Sequence, residues 1–466
     1  MRRGYELSIF FSAIMLLSSF TPLVVGDLSD VSGERRWCQV GDERANNPAW
    51  KDGMYNSMDM AFFGNSSKLI ISEWPNSSLD SPIISTWNIS ARNMTEIGSG
   101  SLPFPGGVDY SGNTQCGINI AIFEGFGWPM LVVARCLSEN TQVVELYNFT
   151  DDLVVQPESR VELLNISNPG WSYMHHLGRV GVADDGSLWI FNGYNNQKDP
   201  EKAAQSPETL HGSIIRGVVS ENFSLEPHPQ NPGVVSNSTW NPMIHSIGLR
   251  MPWRAVSDDN GNWWVGDVGG AISENVFRVN ETGMNFGYST DSLQRCLNCS
   301  GVEQPWISYT HEYNDSFNLE DPDAFYSYWA AVYVGAYIPE DESYPEDLRG
   351  RVIIGDFTRG WMRSVDVNNR GESEQFSHLT GVVDMETSGG NIFALRTGVQ
   401  VSEEVRDPGL WFFSEGDCSE LLESQNELPT EPLPQEEDPS DILAYFVCFL
   451  FLSVVAIFFM LFSDDE

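Results

Sequence analysis

Twice in this chain an aspartate-rich turn runs straight into an aromatic strand. Ala183-Asp184-Asp185-Gly186 leads into Ser187-Leu188-Trp189-Ile190, and Ser257-Asp258-Asp259-Asn260-Gly261 leads into Asn262-Trp263-Trp264-Val265. Gly389-Gly390-Asn391-Ile392-Phe393 is a fainter third copy. Asn, Asp and Gly accept the backbone angles of a tight hairpin, and Trp and β-branched residues pack well on a pleated surface. Other short apolar runs lie at 68–74, 129–135, 142–147, 213–219 and 350–355, punctuated by Gly, Asn, Asp or Pro. No long stretch carries a helical period, so the chain reads as all-β. Repeats of several tens of residues, each a turn and a strand, point to the blades of a β-propeller. At roughly 60 residues per blade, the ~380 residues between Cys38 and Cys418 make six blades. A pair of β-sandwiches is the alternative, but it leaves the repeated turn unexplained.

The ends differ from the middle. Residues 1–26 combine Arg2 and Arg3, an apolar run from Leu7 to Phe20 and the small-residue exit Val24-Val25-Gly26, the pattern of a cleaved secretory leader. Residues 419–440 are rich in Glu, Pro, Ser and Gln and bury no core, so they read as an extended acidic stalk. Residues 441–462 are almost purely apolar, and a run of about 20 such residues spans a bilayer. The tail 463–466 is acidic, so orientation rests on the leader rather than on flanking positive charge. The expectation is a single-pass protein of the cell membrane with residues 38–418 on the extracytoplasmic side. A cleaved lipid-anchor signal is the alternative, against which the terminal acids argue.

With 65 acidic and 25 basic residues the formal net charge is -40. Such a surface repels phosphate backbones and excludes nucleic acid as a partner. Seven cysteines divide into six before the span and Cys448 within it. An even set in a secreted chain suggests disulfides, expected as Cys116–Cys136, Cys296–Cys299 and Cys38–Cys418. Cys296-Leu297-Asn298-Cys299 has no second pair to complete a zinc site. Eleven Asn-x-Ser/Thr sequons, Asn65, Asn88, Asn148, Asn237 and Asn314 among them, fit a glycosylated external surface.

Two segments carry candidate chemistry. After the strand at 263–265, Gly266-Asp267-Val268-Gly269-Gly270 is followed by Ser273-Glu274. Carboxylates and freed carbonyls presented together suit a hard cation such as calcium, although an ordinary glycine-rich exit loop looks the same. Upstream, His175-His176 precedes Leu177-Gly178-Arg179 and the turn at Asp185-Gly186. An imidazole there serves either as a hydrogen-bonded loop residue or as a general base for a hydroxyl proton. No G-x-S-x-G elbow supports a hydrolase.

The order of these elements resembles the glucose/sorbosone dehydrogenase family, including its Hedgehog-interacting-protein-like branch. The resemblance runs through Arg250-Met251-Pro252-Trp253, Gly266-Asp267-Val268-Gly269-Gly270, Ser273-Glu274 and Asn285-Phe286-Gly287-Tyr288, with His175 and Gly178 upstream, and covers 171–396. It implies a six-bladed propeller that oxidises a sugar or aldose with pyrroloquinoline quinone and calcium. The implied roles are His175 and Arg250 in catalysis, Arg250, Arg359 and Arg363 towards the cofactor, and Asp267, Gly269, Gly270 and Glu274 at the metal. This sequence also departs from the pattern. Thr358 stands where a lysine clamp is common, paired arginines are missing before Asp384, and Met251 replaces an asparagine. Three carboxylates need several cationic partners. The departures therefore favour a second expectation, a non-catalytic propeller that binds a protein or glycan ligand.

Overall fold

The computed structural model describes residues 37–41 and most of 57–415, apart from 74–80, 104–116, 168–174, 195–202, 312–329 and some shorter gaps. All the described strands belong to the unit Met1–Cys418, and Ser419–Glu466 forms a separate unit outside the described residues. The expected leader, stalk and membrane span therefore lie outside them too. Among the described residues no helix is long and apolar enough to cross a membrane.

Among the described residues, beside two two-stranded pairs, six antiparallel sheets, five of four strands and one of five, follow one another along the chain. Their first strands are Ser57–Phe62, Asn119–Phe123, Leu177–Val182, Pro252–Ser257, Val332–Tyr337 and Val382–Ser388. Each first strand packs against the first strand of the next sheet, and the sixth returns to the first. That closed cycle is a six-bladed β-propeller with the first strands lining its axis. Blade three carries an extra strand, Ile244–Ile247, antiparallel to Ser213–Val219.

Blade six is completed from the other end of the chain. Trp37–Gly41 pairs antiparallel with Gly409–Glu415, Cys38 lying opposite Ser414. This pairing ties the two ends of the domain through backbone hydrogen bonds. Cys418 lies outside the described residues, so the Cys38–Cys418 bridge is untouched by it. Cys136 and Cys299 are disulfide-bonded, while their expected partners Cys116 and Cys296 lie outside the described residues.

The repeated turns act as the sequence implies. Asp258 accepts hydrogen bonds from the backbone N–H groups of Asn260 and Asn262 and from the Trp264 indole, 3.0 Å away. In blade three Asp185 takes the Ser187 N–H, and the Ser187 hydroxyl receives the Trp189 indole N–H. Each turn thus locks the large aromatic that follows it. Trp264 is fully buried between blades four and five, with Tyr309, Val334, Ile354 and Trp361.

Deleting residues 37–41 leaves Gly409–Glu415 as an open sheet edge, which invites pairing with other chains. The expected outcome is a lower melting temperature and concentration-dependent association by light scattering. An unchanged melt would contradict this closure.

Candidate functional site

A ring of charge crosses the axis. Asp59, Arg179, Arg254 and Asp384 are each the third residue of an inner strand, in blades one, three, four and six. Arg179 Nη1 lies 2.5 Å from Asp59 and 3.3 Å from Asp384, and its Nη2 lies 2.7 Å from Glu386. Arg254 donates to Asp59 at 2.8 Å, to the Asn119 side chain of blade two and to the Met58 carbonyl. The Asp59 carboxylate also accepts the Ile120 N–H at 2.6 Å. Burial raises the Asp59 pKa well above the usual carboxylate range, opposed by the charges of Arg179 and Arg254. Three carboxylates and two guanidinium groups therefore join four blades in a water-poor centre.

Above this level, at the rim where the inner strands begin, the chain brings His175 and Arg250 together. Gly193, just after the second strand of blade three, makes the approach possible. A Cβ there would lie 2.1 Å from the His175 carbonyl and 2.9 Å from the Arg250 carbonyl. Gly178 serves the same end, since its Cβ would meet the Pro252 carbonyl of blade four at 1.8 Å. Tyr194 donates its N–H to the Arg250 carbonyl and stacks its ring on His175, with centroids 5.0 Å apart and planes 24° apart. Tyr288 packs on Tyr194 at 5.2 Å. Gln205 exchanges hydrogen bonds with Asn285 and donates to the Tyr288 carbonyl, holding the Asn285–Tyr288 element in place.

His175 adopts φ 62°, an uncommon conformation for a residue with a Cβ. Its Nδ1 is buried and has no hydrogen-bond partner among the described residues. Burial, then the charge of Arg250, then His176 lower its pKa to about 3. The ring is thus a neutral imidazole with an unfilled polar atom. Burial likewise raises the Tyr288 phenol.

The expected metal residues fall into two groups. Asp267 is fully buried and accepts the N–H groups of Arg250 at 3.0 and 3.1 Å and of Met251 at 2.7 Å, so it braces the turn carrying Arg250. Glu274 is also fully buried and accepts the Gly269 N–H, the Val332 N–H of blade five and the His311 ring at 2.7 Å. It therefore clasps blade four to blade five. Gly269 lies against the Ser273 carbonyl and Gly270 is exposed. Among the described residues no three His, Cys, Asp or Glu side chains gather to hold a metal ion. The two carboxylates serve as separate hydrogen-bond acceptors, an arrangement that does not fit a shared calcium ion.

The expected quinone partners are also dispersed. Arg359, 2 % exposed, donates to the carbonyls of Thr310 and His311 at the boundary of blades four and five. Arg363 sits on the third strand of blade five and donates to Ser373. Arg396, at the end of the second strand of blade six, lies over the Trp411 ring. Arg250 alone of these stands beside His175. The several-cation cradle that a tricarboxylate needs is not formed among the described residues.

Fold and rim together define a six-bladed propeller with its candidate site at the start of the inner strands of blades three and four. Residues 133–390 match the Glucose / Sorbosone dehydrogenase family model, more than half of the chain, and the protein belongs to that family. The fold is shared with the PQQ-bound aldose sugar dehydrogenase of Streptomyces coelicolor, at TM-score 0.55 and 14% identity over 78% of this chain and 97% of that one. A glucose dehydrogenase matches at TM-score 0.56 and 16% identity over 79% and 98%. A putative oxidoreductase (glucose dehydrogenase) of Thermus thermophilus matches at 0.55 and 16% over 78% and 98%. No curated protein matches the chain.

Asp59→Asn removes the nearest carboxylate of Arg254, leaving it Asp384 at 3.9 Å, while Arg179 keeps Asp384 and Glu386. Breaking a buried pair in this way costs about 3–5 kcal/mol, to be read by denaturant unfolding. A loss below about 1 kcal/mol, the value of an exposed pair, would show that the axial ring is not a clasp.

Proposed function

We propose that the propeller binds a sugar at the rim formed by His175, Tyr194 and Arg250. The observation that carries this reading is the buried Nδ1 of His175, without a partner among the described residues, on a strained backbone beside a stacked tyrosine. An unpaired buried polar atom is costly and invites a partner. In the neutral tautomer that carries its proton on Nε2, Nδ1 accepts a hydrogen bond from a sugar hydroxyl, and Arg250 donates from beside it. Family membership supports the ligand class. Because His175 stays neutral until the pH approaches 3, affinity should be flat from about pH 8 to about pH 5. Titration of glucose and related aldoses into the full-length protein by calorimetry checks this. His175→Ala should weaken binding at least tenfold, roughly 1.4 kcal/mol. A loss of affinity centred near the ordinary histidine pKa, about 6.5, would contradict a neutral imidazole.

Oxidation of that sugar is the second reading, favoured by the family and by an imidazole next to a guanidinium. Pyrroloquinoline quinone, when bound, would supply the hydride acceptor, and His175 would take the hydroxyl proton. A base with so low a pKa is a weak proton acceptor, and the cationic cradle and calcium donor set are not assembled among the described residues. The expected result with the quinone, calcium and a sugar panel is therefore little or no dye reduction. Sugar-dependent turnover lost in His175→Ala would establish the dehydrogenase instead.

We further propose that the domain is displayed outside the cell, held by residues 441–462 after removal of 1–26. The apolar run, the leader pattern and the eleven sequons support this placement.

A further inference from the structure

Arg250 is a charge without a counter-charge among the described residues. Its Nη1 donates to the Val268 carbonyl at 2.9 Å, while the adjacent Asp267 carboxylate is turned to backbone N–H groups. Several other guanidinium groups of the propeller find acids: Arg135 and Arg160 on Glu145, Arg179 and Arg254 on Asp59, Arg216 on Asp185. Arg278, Arg359 and Arg370 meet carbonyls as Arg250 does, and among the described residues Arg250 is the one whose charge acts on His175. Arg250 is half-buried and its described side-chain contact is a carbonyl rather than a carboxylate, which leaves donors of its fork for a ligand. Its neighbour His175 is neutral, so among the described residues the Arg250 guanidinium supplies the positive charge beside it.

A neutral sugar would fill the vacant bond of His175 and leave that charge unmatched. A sugar carrying a carboxylate satisfies both, since a guanidinium pairs with a carboxylate through two parallel hydrogen bonds. We propose that the ligand is an anionic sugar, a uronic acid or a glycan ending in one, with Arg250 as the carboxylate anchor and His175 as the hydroxyl acceptor. This rests on the sugar-site reading above and narrows it.

The test compares methyl glucuronide with methyl glucoside by calorimetry on the full-length protein in detergent. The glucuronide is expected to bind at least tenfold tighter. Arg250→Met should reduce it to the level of the glucoside, and Arg250→Lys, which keeps the charge but not the fork, should fall between. Equal affinity for the two ligands in the unmodified protein overturns the proposal while leaving the sugar site standing. A glucuronide preference that survives Arg250→Met also overturns it. Binding of neither ligand removes both readings. Should Arg250→Met fail to fold, the comparison in the unmodified protein and the Lys variant decide alone.

Discussion

The Asp59 carboxylate is buried at the centre of a ring, and a charge stripped of water must be met by charge. It is met by two arginines from blades that do not adjoin its own, Arg179 of blade three and Arg254 of blade four. Asp384 and Glu386 of blade six complete the exchange. Neighbouring blades hold each other by apolar packing, which is strong but tolerant of slippage. The axial ring differs because four of its members, Asp59, Arg179, Arg254 and Asp384, sit at one register position, the third residue of an inner strand. A one-residue slip would turn these side chains to the wrong face. The network therefore fixes how the inner strands line up, and the rim above inherits that alignment.

His175 and Arg250 lie four residues before Arg179 and Arg254 on the same two chain segments. Once the axial arginines are pinned, the rim residues are brought to neighbouring places. Gly178 and Gly193 remove the side chains that would keep the two segments apart. Asp267 then holds the turn at Arg250, and Gln205 with Asn285 holds the element carrying Tyr288. The result is a braced rim in which the imidazole is dry and neutral.

The same logic explains why the acidic loop after the second strand of blade four forms no cation cage among the described residues. Asp267 and Glu274 both lie where backbone N–H groups need acceptors, one at the Arg250 turn and one at the edge of blade five. Burial of each carboxylate is offset by those hydrogen bonds, which leaves little capacity for a shared ion. Arg359 is drawn off in the same way by the carbonyls of Thr310 and His311. The family's fold is thus kept while Glu274 and Arg359 join blades four and five and Asp267 braces a turn.

Much of this was legible in the residues alone. Asp-rich turns entering Trp189 and Trp264 specified hairpins with buried aromatics, because turn angles and β-packing are local properties, and their recurrence specified blades. His175, Gly178, Arg250 and Asp267 were marked by their order along the chain. Tyr194, Gln205 and the axial ring were not, although Arg179 and Arg254 at equal distances from His175 and Arg250 held a signal. What sequence cannot express is which donor reaches a carboxylate first. Asp267, Glu274, Arg359 and Arg363 are all charged loop or strand residues, equally suited to a ligand or to a neighbouring blade. The choice depends on distances between segments tens to hundreds of residues apart, and burial magnifies it, since a dry charge takes the nearest complete set of partners. The hairpins and the blade repeat were therefore determined by sequence, and the partnering of each buried charge only by the closed ring.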